Sequence, residues 1–363
     1  MRVSFSLSND DIESVSQSHV EAARQRQSLL TKPARSLGRL EDIACQIAGI
    51  QRTDTPRADK KWVVVAAADH GVVDEGVSAF PQAVTAQMVA NFLNGAAAVS
   101  VLARQVGATV KIIDAGVANP IPRDTSDLVE LKLANGTQNF TFGPAMPRGH
   151  AVEILERGVE LSVKLSKEGA DLIAIGEMGI GNTTAASAIT AVMLDESPKT
   201  VTGHGTGIDE VTRLKKAHVV SRAISVNQPD AGDPVGVLAG VGGYEIGLLT
   251  GVILGAARAK ILIVLDGFIS TSAALLAAAI APTVKQYMIA SHKSVEPGHV
   301  LALAHLGLTP AIDLDMRLGE ASGAVLYIPI VESAVRLHNE MATFEEAAVS
   351  DKEGAVNTES VTH

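Results

Sequence analysis

Cysteine, aromatic side chains, positive charge and long apolar runs are all scarce in this sequence, and each scarcity removes a class of protein. Cys45 is the only cysteine among 363 residues, so no intrachain disulfide can form and a reducing compartment is expected. A lone cysteine is ordinarily a small buried hydrophobe, not a nucleophile. Aromatics make up 3% of the chain, so the core must be built from Ala, Val, Ile and Leu. The 30 Lys and Arg are outnumbered by 40 Asp and Glu, a formal charge of −10. That balance argues against a nucleic-acid partner, because phosphate backbones reward clustered cations. It leaves a small anionic ligand open, since backbone N–H groups can hold a phosphate inside an acidic protein. The longest uninterrupted apolar stretch, 246–257, is bounded by Glu245 and Arg258 and falls short of the ~20 residues of a membrane span. The opening MRVSFSLSNDDIESVSQSH lacks a basic segment followed by an apolar run, so no signal peptide is expected. The expectation is a soluble, cytoplasmic protein.

What the sequence does hold is small apolar residues and 32 glycines, the mixture of helices packed tightly on a parallel sheet. The first sixty residues read as helical and polar, with segments at 19–30 and 40–50 separated by the breakers Pro33 and Gly38. The texture then changes. Residues 62–68, WVVVAAA, form a continuous apolar run ending in Asp69-His70-Gly71. Similar runs at 109–116, 171–177 and 260–267 each end in an acidic residue, a glycine or both. Helix-like stretches at 84–106, 151–167 and 244–257 precede them. Strands alternating with helices of this length predict a parallel sheet whose ligand crevice lies beyond the strand carboxyl ends. Residues 120–149 read as a hairpin or loop excursion, and 351–363 as a frayed tail.

Four glycine-bearing stretches can carry chemistry. GEMGIGNTT, 176–184, follows a strand and opens a small-residue helix. Its glycines let backbone N–H groups turn inward, and Asn182, Thr183 and Thr184 can cap the helix or donate to a phosphate. It is neither a Walker loop nor a dinucleotide fingerprint, and a tight turn without ligand is the plain alternative. TGHGTGID, 202–209, precedes a helix bearing Lys215 and Lys216; either lysine could reach an anion, or both could be a solvated face. SHKSVEPGH, 291–299, follows a strand expected at 284–290 and suits a phosphate clamp. RLGEASGA, 317–324, sets Glu320 between Gly319 and Gly323 among Leu318, Ala321, Ala324 and Val325. An apolar setting should raise that carboxyl toward the range useful to a general base, although a glutamate at a helix start is often a simple charge cap. A rival reading builds a metal-dependent hydrolase from Asp69, His70, His204 and His299, although their spacing matches no known ligand interval. Another rival is a nucleotide-binding regulator without catalysis.

Together with KPARSLGRLE at 32–41, ADHGVVDEGVSAFPQAVTAQMV at 68–89, LAGVGGYEIGLLTG at 238–251 and DGFISTSAAL at 266–275, these stretches resemble the nicotinate-nucleotide–dimethylbenzimidazole phosphoribosyltransferase family of cobalamin nucleotide-loop assembly. The resemblance covers about 32–345. It implies a homodimer, with a doubly wound parallel sheet, helices on both faces, and a small helical domain from the chain ends. On that scheme 1–60 belongs to the small domain, 61–330 is the α/β domain and 331–363 is a C-terminal helix with its tail. The resemblance implies transfer of the phosphoribosyl group of nicotinate mononucleotide to a benzimidazole-type base, with no cofactor and no metal. By position the general base is Glu320, with Glu177 the second catalytic carboxylate. Phosphate and ribose contacts fall on Gly176, Met178, Gly179, Gly181, Asn182, Thr183, Gly203, Gly205, Lys216 and Ser294. The base pocket falls on Ser78, Phe80, Gln82, Gln87 and Leu318.

Overall fold

The computed structural model describes residues 5–122, 127–205 and 207–350. The chain separates into a large unit, Met1–Ser14 with Lys60–Ile328, and a small unit, Val15–Asp59 with Pro329–His363.

The large unit is built on a six-stranded sheet in which every neighbouring pair is parallel, in the order β3-β2-β1-β4-β5-β6. The strands are β1 (Lys61–Ala68), β2 (Thr109–Gly116), β3 (Leu128–Glu130), β4 (Leu172–Met178), β5 (Leu262–Leu265) and β6 (Met288–Ala290). This is a doubly wound order, reversing direction between β1 and β4, and in such sheets the ligand crevice opens at the carboxyl ends beside the reversal. Successive strand side chains point to opposite faces. Residues 63–68 of β1 and 172–177 of β4 are nevertheless buried without interruption, so both faces of the sheet are covered.

The cover comes from the helices between strands. Helices α3 (Ala83–Leu93) and α4 (Ala98–Val106) link β1 to β2, and α5 (Arg148–Lys167) leads into β4. Five follow β4: α6 (Asn182–Leu194), α7 (Pro198–Val201), α8 (Glu210–Asn227), α9 (Pro234–Val241) and α10 (Tyr244–Arg258). After β5 come α11 (Phe268–Ile280), α12 (Pro297–Leu306) and α13 (Ser322–Glu340), with β6 between α11 and α12. Helices α5 and α10 cross with backbones in contact. A Cβ on Gly158 would lie 2.2 Å from the Leu248 carbonyl oxygen, and one on Gly251 would lie 2.1 Å from that of Leu155.

The small unit contains α1 (Gln17–Leu29), α2 (Arg39–Gln51) and the part of α13 from Pro329 onward. Val20, Ala23, Ile43, Ala44 and Ile47 supply its apolar interior. Polar ties join the two ends of the chain within it. Arg26 Nε donates to the His338 carbonyl at 2.8 Å and Asn339 Nδ2 donates to that of Pro56 at 2.9 Å; within the N-terminal segment, buried Lys32 and Glu41 pair at 2.8 Å.

The elements depart from the sequence pattern in three places. The stretch at 84–106 is two helices, broken after Asn94 where Gly95 takes a φ of +72°. By length and composition Ala83–Val106, reaching a mean hydropathy of 1.3, could cross a membrane, yet the break divides it into pieces far too short. The strand expected at 284–290 shrinks to Met288–Ala290, because Pro282–Tyr287 winds as a 3-10 turn. The excursion at 120–149 is not a hairpin; Leu128–Glu130 pairs in parallel with β2 as an edge strand. The tail at 351–363 lies outside the described residues.

Candidate active site

The site begins where β4 ends. Gly179 follows Met178, and a Cβ there would lie 2.3 Å from the Ala68 carbonyl oxygen, so only glycine lets this loop press against the end of β1 at the sheet reversal. Gly181, at φ +95°, turns the chain into α6. The Ile180 N–H donates to Thr85 Oγ1 at 3.1 Å, tying the loop to α3. One residue before Glu177, Gly176 allows a second close approach: a Cβ there would sit 2.0 Å from the Ala321 nitrogen. The turn before α13 thus lies directly on β4. A Cβ on Gly319 would lie 2.6 Å from Glu177 Oε1. The GEMG and RLGE motifs, far apart in sequence, are one structure.

Two carboxylates meet there. Glu177 is 6% exposed and accepts a hydrogen bond from Asn182 Nδ2. Burial lifts its carboxyl well above the usual range, and the negative charges of Glu245, Asp266 and Glu320 add to the effect. Glu320 is 5% exposed, and its Oε2 has no hydrogen-bond partner. Burial, with Asp266 as the second cause, pushes it up to about 7. Its backbone is unusual: Gly319, Glu320 and Ala321 have φ of 83°, 62° and 64°. Only the first of these is glycine, so the turn holds its side chains in a conformation that L residues resist.

Opposite the carboxylates stands a cationic, hydroxyl-bearing wall. Lys216 on α8 is 1% exposed, and its Nζ donates to Thr183 Oγ1 at 2.6 Å. Burial holds it down to about 8, with Glu296 opposing that fall. Lys215 turns away; its Nζ lies 3.0 Å from where a Cβ on Gly76 would be. The geometry therefore selects Lys216 from the pair. The Gly205 N–H donates to Glu296 Oε1 at 2.8 Å, and Gly203 packs on the same carboxylate. Between these walls lies a cavity of about 80 Å³, lined by Glu177, Met178, Gly179, Asn182, Thr183, Gly205, Ser294 and Leu318 among others. Glu320 sits immediately behind its Gly319 edge. The α6 N-terminus opens on the same space, and helix starts favour anions.

The remaining expected residues are placed differently. Ser78, Phe80, Gln82 and Gln87 do not line this cavity. They lie between β1 and the middle of α3, where Ser78 Oγ accepts the Phe80 N–H at 3.2 Å and the Phe80 side chain is 47% exposed. The residues of the metal reading are dispersed among separate partners. His70 Nε2 donates to Glu245 Oε1 at 2.6 Å, with both side chains fully buried. His204 Nδ1 donates to the Ile208 carbonyl, His299 Nε2 to that of His292, and Asp69 accepts the Ala118 N–H. Among the described residues no three His, Cys, Asp or Glu side chains are grouped to hold a metal ion. Sequence reasoning passed over Asp266, Glu245, His292 and Glu296, all buried against this site. All four stood inside the motifs named above, Glu245 in LAGVGGYEIGLLTG, Asp266 in DGFISTSAAL, and His292 and Glu296 in SHKSVEPGH, so their position was a usable signal.

The chain matches a family model described as a phosphoribosyltransferase over residues 12–349. It is similar to the nicotinate-nucleotide–dimethylbenzimidazole phosphoribosyltransferase of Desulforamulus reducens, 53% identical over 93% of this chain and 97% of that protein. The enzyme of the same name from Chloroflexus aggregans is 52% identical over 92% of this chain and 94% of its own length. A crystal structure of such an enzyme from Thermus thermophilus superimposes with a TM-score of 0.87 at 44% identity, over 93% of this chain and 99% of that one.

Proposed function

The chain belongs to the nicotinate-nucleotide–dimethylbenzimidazole phosphoribosyltransferase family, and from that premise we propose that Glu320 is the general base of its reaction. The enzyme is a pentosyltransferase. It moves the phosphoribosyl group of nicotinate mononucleotide to 5,6-dimethylbenzimidazole or a similar base, giving α-ribazole phosphate and nicotinate, in cobalamin biosynthesis.

The chemistry follows from the two walls. The phosphate is held at the α6 start by Thr183, Lys216 and Ser294, with Gly205 beside them, where an anion meets hydroxyls and one cation. A ring nitrogen of the base attacks the anomeric carbon as the bond to nicotinate breaks, inverting that centre. Nicotinate leaves from its pyridinium form as a neutral ring, so the departing group needs no acid. Attack leaves the new heterocycle cationic and its other N–H acidic. Glu320 takes that proton: the N–H bond breaks and an O–H bond forms on a carboxylate poised at about 7. Glu177, facing the same cavity, presents its carboxyl oxygens to the side of the ribose where positive charge develops. Leu318, on the cavity rim, offers a flat apolar surface to the base, and Ser78, Phe80, Gln82 and Gln87 would be reached by the part of the base extending beyond the cavity.

The observation that carries this reading is Glu320 Oε2, buried and unpartnered beside Glu177. The test is Glu320→Gln. Turnover should fall ~10²–10⁴-fold, the usual contribution of a general base, while nicotinate mononucleotide binds within about twofold of its normal affinity. A Gln variant with near-normal turnover would remove Glu320 from the mechanism. We infer in addition that the enzyme works as a cytoplasmic homodimer; a single-chain mass in sedimentation equilibrium would contradict the dimer.

A further inference from the structure

The turn that presents Glu320 strings together three left-handed residues, two of them not glycine, and something outside it must hold that shape. The holding group is Asp266, at the end of β5. It is 1% exposed, and its Oδ1 accepts the N–H groups of Gly323 at 2.8 Å and Ala324 at 3.0 Å, in the first turn of α13. The N–H groups of Gly267 and Ala321 are also directed at this carboxylate. His292 Nδ1 lies 3.8 Å from Oδ1, and Gly323 leaves that ring its space, since a Cβ there would be 2.0 Å from Nδ1. Asp266 is therefore clamped between β5, the loop after β6 and the start of α13.

We propose that Asp266 is a positioning residue of the reaction: it anchors the Glu320 turn and supplies the neighbouring negative charge against which Glu320 takes up its proton. This rests on Glu320 being the base. Burial lifts Asp266 itself to about 7, and its charge is the second cause of the rise at Glu320. The other titratable and charged groups nearby are Glu177 on β4, which the charge of Asp266 also raises, Glu245 on α10, which acts on Glu177, His292 after β6, 3.8 Å from Asp266, and Arg317 on the turn.

The test is the pH profile of kcat in Asp266→Asn, which retains an acceptor for Gly323 and Ala324 but carries no charge. A general base works deprotonated, so activity rises with pH along an acid limb. Removing a like charge should move that limb down by about one pH unit, with KM for nicotinate mononucleotide within about twofold of normal. If Asn is not tolerated, Asp266→Ser asks the same question with a shorter neutral acceptor and the same expected displacement. A limb that stays in place, with kcat lowered by one factor at every pH, would make Asp266 a structural residue and overturn the proposal. Glu320→Gln run alongside separates the two failures. An active Gln variant sinks the assignment of the base; an inert one with an unmoved Asp266→Asn limb sinks only the role of Asp266.

Discussion

Lys216 is a cation enclosed almost completely by protein, bonded to the hydroxyl that α6 presents to the cavity. Such a group costs desolvation that a bound phosphate would repay. Replacing it with Met should raise KM for nicotinate mononucleotide about 10–100-fold, the scale of one charge-assisted hydrogen bond, and leave KM for the base within a few-fold. Equal rises in both constants would show that Lys216 shapes the whole cavity instead. Lys216 must be protonated to hold phosphate, and Glu320 must be deprotonated to act. With Lys216 held to about 8 and Glu320 at about 7, kcat/KM for nicotinate mononucleotide should be bell-shaped, with limbs near those values. A profile flat from pH 6 to 9 would contradict both placements. Of this wall the sequence showed the loops but not which lysine enters, because Lys215 and Lys216 are adjacent and only the direction of α8 tells them apart.

Helices α5 and α10 illustrate what patterning reveals and what it hides. Both were legible as helices, but their glycines read only as small residues. The structure gives them a purpose: Gly158, Gly251 and Gly255 let the two backbones touch. Gly251→Ala should therefore destabilise the protein by about 1–3 kcal/mol, the usual cost of overpacking, seen as a lower denaturant midpoint at unchanged slope. An unaltered midpoint would mean that the helices separate freely. Strands β1, β2 and β4 were legible because each carries an apolar run, as central parallel strands do. Strand β3 was not, since three residues at an edge, amid prolines and polar residues, carry no such run. The His70–Glu245 pair was equally hidden, its partners drawn together only by the Gly243 approach, where a Cβ would lie 2.4 Å from the His70 ring.

At the scale of the whole molecule, buried acids and buried histidines pull stability in opposite directions. Burial holds Asp69, Asp114, Glu177, Asp266 and Glu320 above the ordinary carboxylate range. Their contribution is full at low pH, where they are protonated, and is lost as pH rises through their folded values. Burial holds His292, His299 and His338 low, so these favour the fold once unfolded histidine has lost its proton, above about 6.5. Below that value the two sets oppose each other. Between pH 7 and 8 unfolded histidine is mostly deprotonated, while Asp266 and Glu320, both near 7, still release protons. The Tm of the ligand-free enzyme should accordingly fall across that window, and fall less in Asp266→Asn. A Tm rising over the same range in scanning calorimetry would refute the assignment. One further consequence belongs to the left-handed triplet at 319–321. A segment bent against its own preference, at roughly 1–2 kcal/mol for each non-glycine residue, is the first to relax when warmed. Catalysis should thus fade several degrees before the protein melts, leaving an intact but idle sheet that regains its turnover on cooling.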